Sequence, residues 1–420
     1  MKPRLPPWLS RNVLTLGLVS LLNDAASDMI APLFPIFLTV TLGGAPAMLG
    51  LVEGAADATA SVLKLVSGRI VDRWGRRVPL VVGGYALAAL TRPLLAMATG
   101  PWMVLVLRVT DRVGKGLRTT PRDALLAAGA PPERLGSVYG FHRAMDHFGA
   151  VIGALLAAAA LTLGVSDLRT LFFYSAVPSF VALLLLVLLV REPPVDPPVV
   201  LVVEAPVPVL VPGKAVAVKA VPPPPWTTPF PKGRLRWYLA AVALFGLGHA
   251  SDAFLLLKAG LPAEEGGGGV PMAALPLLWM ALHLVKSLAS AGAGPLADRF
   301  GRRRLIAAGW VVSAGIYVGF GAAASATTFV TLFVVYGLYH GLVEGAEKAV
   351  AAQLAEDGAT GTALGWYHLV TGLVALPAGL LFGWLWTVFG APVAFAVGAT
   401  LALLGLVPLA ISARPVPSAA

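Results

Sequence analysis

The chain reads as an all-α membrane protein, with twelve transmembrane helices in two six-helix, pseudo-symmetric bundles. Three observations carry this reading. Of its 420 residues, 57% are hydrophobic and 12% charged, with a mean hydropathy of +0.81, whereas roughly a quarter of a soluble chain is charged. At about 20 residues per span, this length holds twelve helices and short loops, with no room for a sizeable soluble domain. Finally, Gly68-Arg-Ile-Val-Asp72-Arg73-Trp-Gly75-Arg76-Arg77 returns half a chain later as Gly294-Pro-Leu-Ala-Asp298-Arg299-Phe-Gly301-Arg302-Arg303, each copy between two long apolar stretches. The chain is therefore two copies of one membrane unit, and its function is to be sought at their seam.

Hydropathy places the helices over 12–41, 47–70, 78–98, 101–128, 135–163, 168–190, 236–259, 272–296, 304–325, 327–354, 360–386 and 389–412. The first carries Asn23, Asp24 and Asp28 and shows no small-residue cleavage site, so it is a retained helix and not a signal peptide. The second, with Glu53 and Asp57, leads into the first copy of the loop. The fourth is interrupted by Arg108, Asp111, Arg112, Lys115, Arg118, Arg122 and Asp123, and only the repeat identifies it as a span. Between the sixth and seventh helices, prolines at 193, 197 and 222–225 forbid a continuous helix. The domain plan is thus an N-terminal bundle over 1–190, a Pro/Val-rich cytoplasmic linker over 191–235 and a C-terminal bundle over 236–420. Ala26-Ser27-Asp28 matches Ala250-Ser251-Asp252, and Gly136-Ser-Val-Tyr-Gly140-Phe matches Gly361-Thr-Ala-Leu-Gly365-Trp. Both halves put the shared loop on the same side, so the repeat is parallel and the working site lies near the bilayer midplane.

The net charge of +10 does not indicate nucleic acid. Arg and Lys concentrate in short segments between apolar runs, as the positive-inside rule expects, which places both termini in the cytoplasm and the protein in the cytoplasmic (inner) membrane. The chain has no cysteine, which excludes disulfides, thiolate metal sites and cysteine nucleophiles. No Gly-x-Ser-x-Gly or His-Glu-x-x-His motif is present, so no enzymatic activity, cofactor or resident metal is expected.

With these residues in hand, the chain resembles the major facilitator superfamily over essentially its whole length. That family's loop motif, G-x-L-A-D-R-x-G-R-[RK], is matched almost throughout at Gly294, while the copy at Gly68 has Ile70 and Val71 for Leu and Ala. The resemblance implies the family's fold and transport by alternating access. It also implies a conformational latch formed by Gly68, Asp72, Arg73, Gly75, Arg76, Gly294, Asp298, Arg299, Gly301 and Arg302. The family's fourth-helix pattern, R-x-x-Q-G-x-G, is met loosely by Arg108-Val-Thr-Asp111-Arg112-Val-Gly114, which carries that arginine's role in proton coupling onto Arg108. Its antiporter pattern G-x-x-x-G-P reads Gly149-Ala-Val-Ile-Gly153-Ala154 here, without the proline, which weakens the antiport reading without removing it.

A charged side chain at the bilayer centre costs about 2.5 to 3.5 kcal/mol on insertion scales, so buried charges face a cavity or a partner. Arg108, Asp111, Arg112, Lys115, Arg118 and Arg122 recur at helical steps and form one strongly basic stripe. It can wall an aqueous cavity that attracts an anion, or it can pair structurally with Asp24, Asp28, Glu53, Asp57 and Asp146. The candidate substrate-binding residues are Arg108, Arg112, Lys115, Arg143, Asp146, His249, His283 and His340. The candidate proton carriers are Asp28, Asp57, Asp252 and Glu344, with Asp28 favoured because Asp252 repeats it and because depth allows it to pair with Arg112. Glu347 and Lys348 read as a gate or surface salt bridge. The expected function is secondary, proton-coupled transport of a small anionic or zwitterionic organic solute, efflux favoured, by a monomer whose partners are the lipid bilayer, the solute and protons. The alternatives are a divalent metal ion as cargo, or a non-transporting receptor or lipid-moving protein on the same fold.

Overall fold

The computed structural model describes residues 9–74, 76–128, 135–192, 230–249, 251–355 and 360–413; side chains at 65, 68, 69, 71–74, 135, 136, 291–295, 298, 360 and 361 lie outside that description. Most of the predicted linker therefore falls outside it. The described chain forms α1 (Arg11–Ile30), α2 (Pro46–Trp74), α3 (Val78–Ala96), α4 (Pro101–Ala128), α5 (Leu135–Thr162) and α6 (Leu168–Tyr174 with Ala176–Leu189). The second half gives α7 (Gly233–Gly248 with Asp252–Gly260), α8 (Leu275–Phe300), α9 (Arg302–Ala322), α10 (Ala326–Gln353), α11 (Thr360–Phe389) and α12 (Ala391–Leu404 with Leu406–Ala413). Among the described residues there is no strand. Ten helical spans are long and apolar enough to cross a membrane; the other two helices, α2 and α4, carry inward-facing charge instead.

Four helices expected to be continuous are broken, and prolines explain three of the breaks. A proline ring clashes with the carbonyl four residues earlier. Pro178 and Pro408 stand four residues after Tyr174 and Leu404, where the first pieces of α6 and α12 stop. Pro32 and Pro35 likewise end α1 at Ile30, short of the predicted 41, before the chain resumes in a short turn at Phe34–Ile36 and a π-helical turn at Phe37–Thr41. The break in α7 has a different cause. Ser251 caps the second piece, its Oγ accepting from the Ala253 N–H at 3.3 Å, a local bond that competes with continuing the helix.

In the N-terminal bundle α1 packs on α5, and α4 on both α2 and α3; in the C-terminal bundle α8 packs on α10, and α9 on α10 and α12. The C-terminal bundle has an aromatic centre, with Tyr238, Trp310, Tyr317, Phe320 and Tyr336 fully buried. Val177, Phe180, Leu184 and Leu188 of α6 are exposed at steps of three and four, which is the lipid-facing stripe of a span.

The bundles meet through α2 on α11 and α5 on α8. Glycine makes the first contact possible, because Gly50 and Gly379 lie backbone to backbone, and a Cβ on either would intrude on the other's carbonyl. Gly54 meets Leu376, Gly383 meets Pro46 and Ala47, and the Ala47 N–H donates to Thr387 Oγ1 at 3.0 Å. Small residues are what let membrane helices approach this closely. These contacts occupy the half of α2 remote from the Arg76 loop, so the seam is closed at that end.

Candidate functional site

Two cavities lie at the seam. The smaller, of about 280 Å³, is lined from α1 by Asp24 and Asp28, from α4 by Arg108, Asp111, Arg112, Lys115 and Arg118, and from α8 by Trp279 and His283. The larger, of about 420 Å³, is lined by Glu53 and Asp57 of α2, by Phe245, His249, Ser251 and Asp252 of α7, by Tyr336, His340 and Glu347 of α10, and by residues of α11. Arg112 and Trp279 line both. The basic stripe thus faces the interior, and the centre is walled by residues of α1, α2, α3, α4, α7, α8, α10 and α11.

The cations of the stripe divide by partner. Arg108 forms an ion pair with Glu53 at 2.9 Å, and its guanidinium lies 4.5 Å above the Phe34 ring. Arg118 donates to the Gly84 carbonyl at 3.0 Å and covers Tyr85. Arg122 meets Asp123 at 3.3 Å. Arg112 and Lys115 make neither a hydrogen bond nor an ion pair among the described residues, and the Nε of Arg112 is buried without a partner. Structural pairing therefore accounts for Arg108, Arg118 and Arg122 and leaves Arg112 and Lys115 as the two cavity-lining cations of the stripe without such a partner among the described residues.

The carboxylates divide similarly. Asp28 accepts from Trp279 Nε1 at 2.7 Å, a bond that crosses the seam from α1 to α8. The expected Asp28–Arg112 pair is not formed, because the indole holds the carboxylate first. Asp252 accepts from Lys286 Nζ at 3.0 Å and from the Tyr336 hydroxyl at 2.6 Å. Asp57 is exposed at the rim of the larger cavity. Glu344 is an exposed partner of Lys348 at 2.7 Å and lines neither cavity. Of the two residues read as a gate or surface salt bridge, Lys348 thus forms a surface bridge, with Glu344, whereas Glu347 accepts from Trp310 Nε1 at 2.9 Å and from the Tyr367 hydroxyl at 3.0 Å. Asp146 is tied to Ser20 and His142 between α1 and α5, and Arg143 is exposed on α5; neither lines these cavities.

The break in α7 places His249 among rings. Its Nε2 bonds Ser313 Oγ at 2.9 Å, and its faces are covered by Phe245 and Tyr317, with centroids 4.3 and 4.5 Å away. His340 bonds the Tyr336 hydroxyl at 3.2 Å, and His283 packs edge-on against Trp279 at 4.6 Å.

Of the latch, Gly75 and the side chains of Asp72, Arg73 and Asp298 lie outside the described residues. Gly68 and Gly294 fall within α2 and α8, Arg76 and Arg299 are exposed, and Gly301, at φ +86°, turns α8 into α9 so that Arg302 begins the next helix. At the first loop the start of α3 is capped by Glu192, whose two carboxylate oxygens accept from the Arg77 and Val78 N–H groups at 2.9 and 2.8 Å. An anion is favoured at a helix N-terminus.

Sequence reasoning passed over Arg92, Lys286 and Trp279. Arg92 is buried in α3 and donates to Asn23, Ser27 and Ser179. As lone charges inside predicted spans, Arg92 and Lys286 could have been found by the cost rule that singled out α4. Trp279 offered no such signal, since a tryptophan in an apolar run reads as packing.

Two helical bundles enclosing a charged cavity at their seam define a membrane transporter fold. The model of the Major Facilitator Superfamily matches residues 16–285 and 267–420, and the chain belongs to that superfamily. It is 29% identical over 401 residues to an uncharacterized MFS-type transporter of Methanocaldococcus jannaschii, covering 94% of this chain and 93% of that one. A multidrug resistance protein, MdtH, of Photorhabdus laumondii is 32% identical over 128 residues, which covers 30% of this chain and 32% of its own. Among solved structures, the nucleoside transporter NupG superposes with a TM-score of 0.76 at 12% identity, covering 96% of this chain and all of its own; at that identity the likeness concerns the fold alone.

Proposed function

We propose that this chain exports a small anionic or zwitterionic organic solute across the cytoplasmic membrane, as a monomer, by proton-coupled alternating access. The observation that carries the reading is the pair Arg112 and Lys115, two cations that face the cavity while their neighbours on α4 are neutralised or capped. A cation in a low-dielectric cavity without a fixed partner favours an anionic guest, because the guest supplies what the protein has left out. The bundles over 1–190 and 236–420 rock about this cavity, the 191–235 linker and both termini lie in the cytoplasm, and the paired loops latch the cytoplasmic side. The stretch shared with a multidrug resistance protein supports export. Asp28 is the proton carrier: its bond to Trp279 spans the seam, so protonation alters a contact that differs between the two states of the cycle. The divalent-metal alternative finds no cluster of three His, Asp or Glu side chains among the described residues.

The test is transport by purified protein in proteoliposomes, after a thermal-shift screen of anions, cations, metals and lipids has supplied a solute. Arg112→Ala and Lys115→Ala are each expected to weaken binding of an anion about tenfold, equivalent to roughly 1.4 kcal/mol, and to leave cations unaffected. A cationic substrate that binds more tightly to these variants overturns the choice of charge. Asp28→Asn is expected to abolish accumulation driven by a pH gradient and to preserve downhill exchange. If the variant still accumulates solute against its gradient, the proton site lies elsewhere, with Asp57, Asp252 and Glu344 next in line.

A further inference from the structure

The two cavities share Arg112 and Trp279 in their linings. Arg112, His249 and His283 are among the lining residues, and one nitrogen of each (Arg112 Nε, His249 Nδ1 and His283 Nε2) is buried without a hydrogen-bond partner among the described residues. Arg112 can only donate to a guest, whereas each imidazole donates or accepts according to its tautomer, so the lining suits a guest whose charged end is an acceptor and whose other edge is neutral. His249 is especially constrained. With Phe245 and Tyr317 over its faces and Ser313 on Nε2, all it can offer the cavity is its edge. The indole of Trp279 belongs to both linings and is fixed in orientation by its bond to Asp28.

We infer that a planar aromatic anion binds at the residues the two cavities share, its charged group meeting Arg112 and its ring lying against Trp279 with its far edge toward His249. The inference rests on the proposed anion transport and narrows it. A flat ring fits because the indole supplies a fixed aromatic surface, and aromatic pairs in favourable geometry contribute about 0.5 to 1.5 kcal/mol beyond the area they bury. An aliphatic anion of the same charge and size would keep the contact with Arg112 and lose that term.

The experiment uses the whole protein in detergent and two probes of equal charge and similar outline, 2-naphthoate and its saturated analogue decahydro-2-naphthoate. Titration calorimetry is expected to give the aromatic probe an affinity about tenfold higher. Trp279→Leu is expected to reduce that ratio to near one while retaining binding of the saturated anion, and Arg112→Ala to weaken both probes alike. Equal affinities in the unaltered protein overturn the aromatic inference and leave anion transport standing, provided Arg112→Ala still weakens both. If neither anion binds, the charge reading falls too and takes this inference with it. Because the central comparison is made on the unaltered protein, a variant that fails to fold does not blunt it.

Discussion

Arg108 and Arg112 stand one helical turn apart on the same face of α4, yet only Arg108 has an ionic partner. Arg108 is spent on Glu53, and both side chains are largely buried, at 16% and 9% exposure. Removing one partner of such a pair leaves an uncompensated buried charge, which costs about 3 to 5 kcal/mol, whereas removing both charges is far milder. Arg108→Ala is accordingly expected to destabilise the protein by about that amount in a thermal or denaturant assay. The double variant Glu53→Gln with Arg108→Gln should recover most of the loss. If Arg108→Ala is as stable as the parent and fails only in solute binding, then Arg108 belongs with Arg112 in the solute site. Spacing alone could not separate the two residues. The stripe was legible because 3.6-residue periodicity is written into the chain, but which cation is neutralised depends on Glu53 and Phe34, which arrive from other helices. Asp28 shows the same limit. Its depth was readable and its partner was not, because Trp279 lies half a chain away and carries no charge to mark it.

The helices show where local chemistry is sufficient and where it is not. Position, polarity and order of the spans were legible from hydropathy and the repeat, and even α4, whose charges disguise it, was recovered from the matching α10. The breaks in α6 and α12 follow from prolines visible in the sequence. The break in α7 was less visible, although it shapes the aromatic part of the site. Its Ser251 cap is a weak local signal that a continuous apolar run overrides. The α2–α11 contact is different again, since its glycines are scattered singly and acquire meaning only when Gly50 faces Gly379. Gly50→Val is expected to push α2 away from α11, because the added branches have only the Gly379 backbone to occupy, and so to weaken closure at the end remote from the Arg76 loop. Accessibility of single cysteines introduced near Ala47 should then rise several-fold. Unchanged labelling would show that the glycine contact does not hold that end shut.

In the proposed alternating-access cycle, the arrangement captured here is one with the bundles in contact at one end of the seam. Besides α5 on α8, the bundles meet through Pro46 to Ser61 of α2 against Gly372 to Thr387 of α11 and through Phe34–Ile36 on the second piece of α7. The closest of these, around Gly50 and Gly379, lies in the half of α2 remote from the Arg76 loop. A cavity sealed at one end and charged at its centre must open at that seal if solute is to leave on that side, because backbone-to-backbone contact at Gly50 and Gly379 leaves no path between the bundles. The chain has no cysteine, so a single engineered pair can test this without background. Ala47 and Thr387 are already joined by a hydrogen bond of 3.0 Å from backbone to side chain, which puts the two positions near the separation a disulfide needs, about 4.4 to 6.8 Å between Cα atoms. Ala47→Cys with Thr387→Cys is expected to oxidise readily, to abolish solute movement in proteoliposomes and to recover on reduction, while the oxidised protein keeps its affinity for solute reaching it from the arginine-loop side. The two single variants should transport as the parent does. Full transport through the oxidised pair would mean that the bundles do not separate at this seal, and the path would have to be sought elsewhere than between α2 and α11.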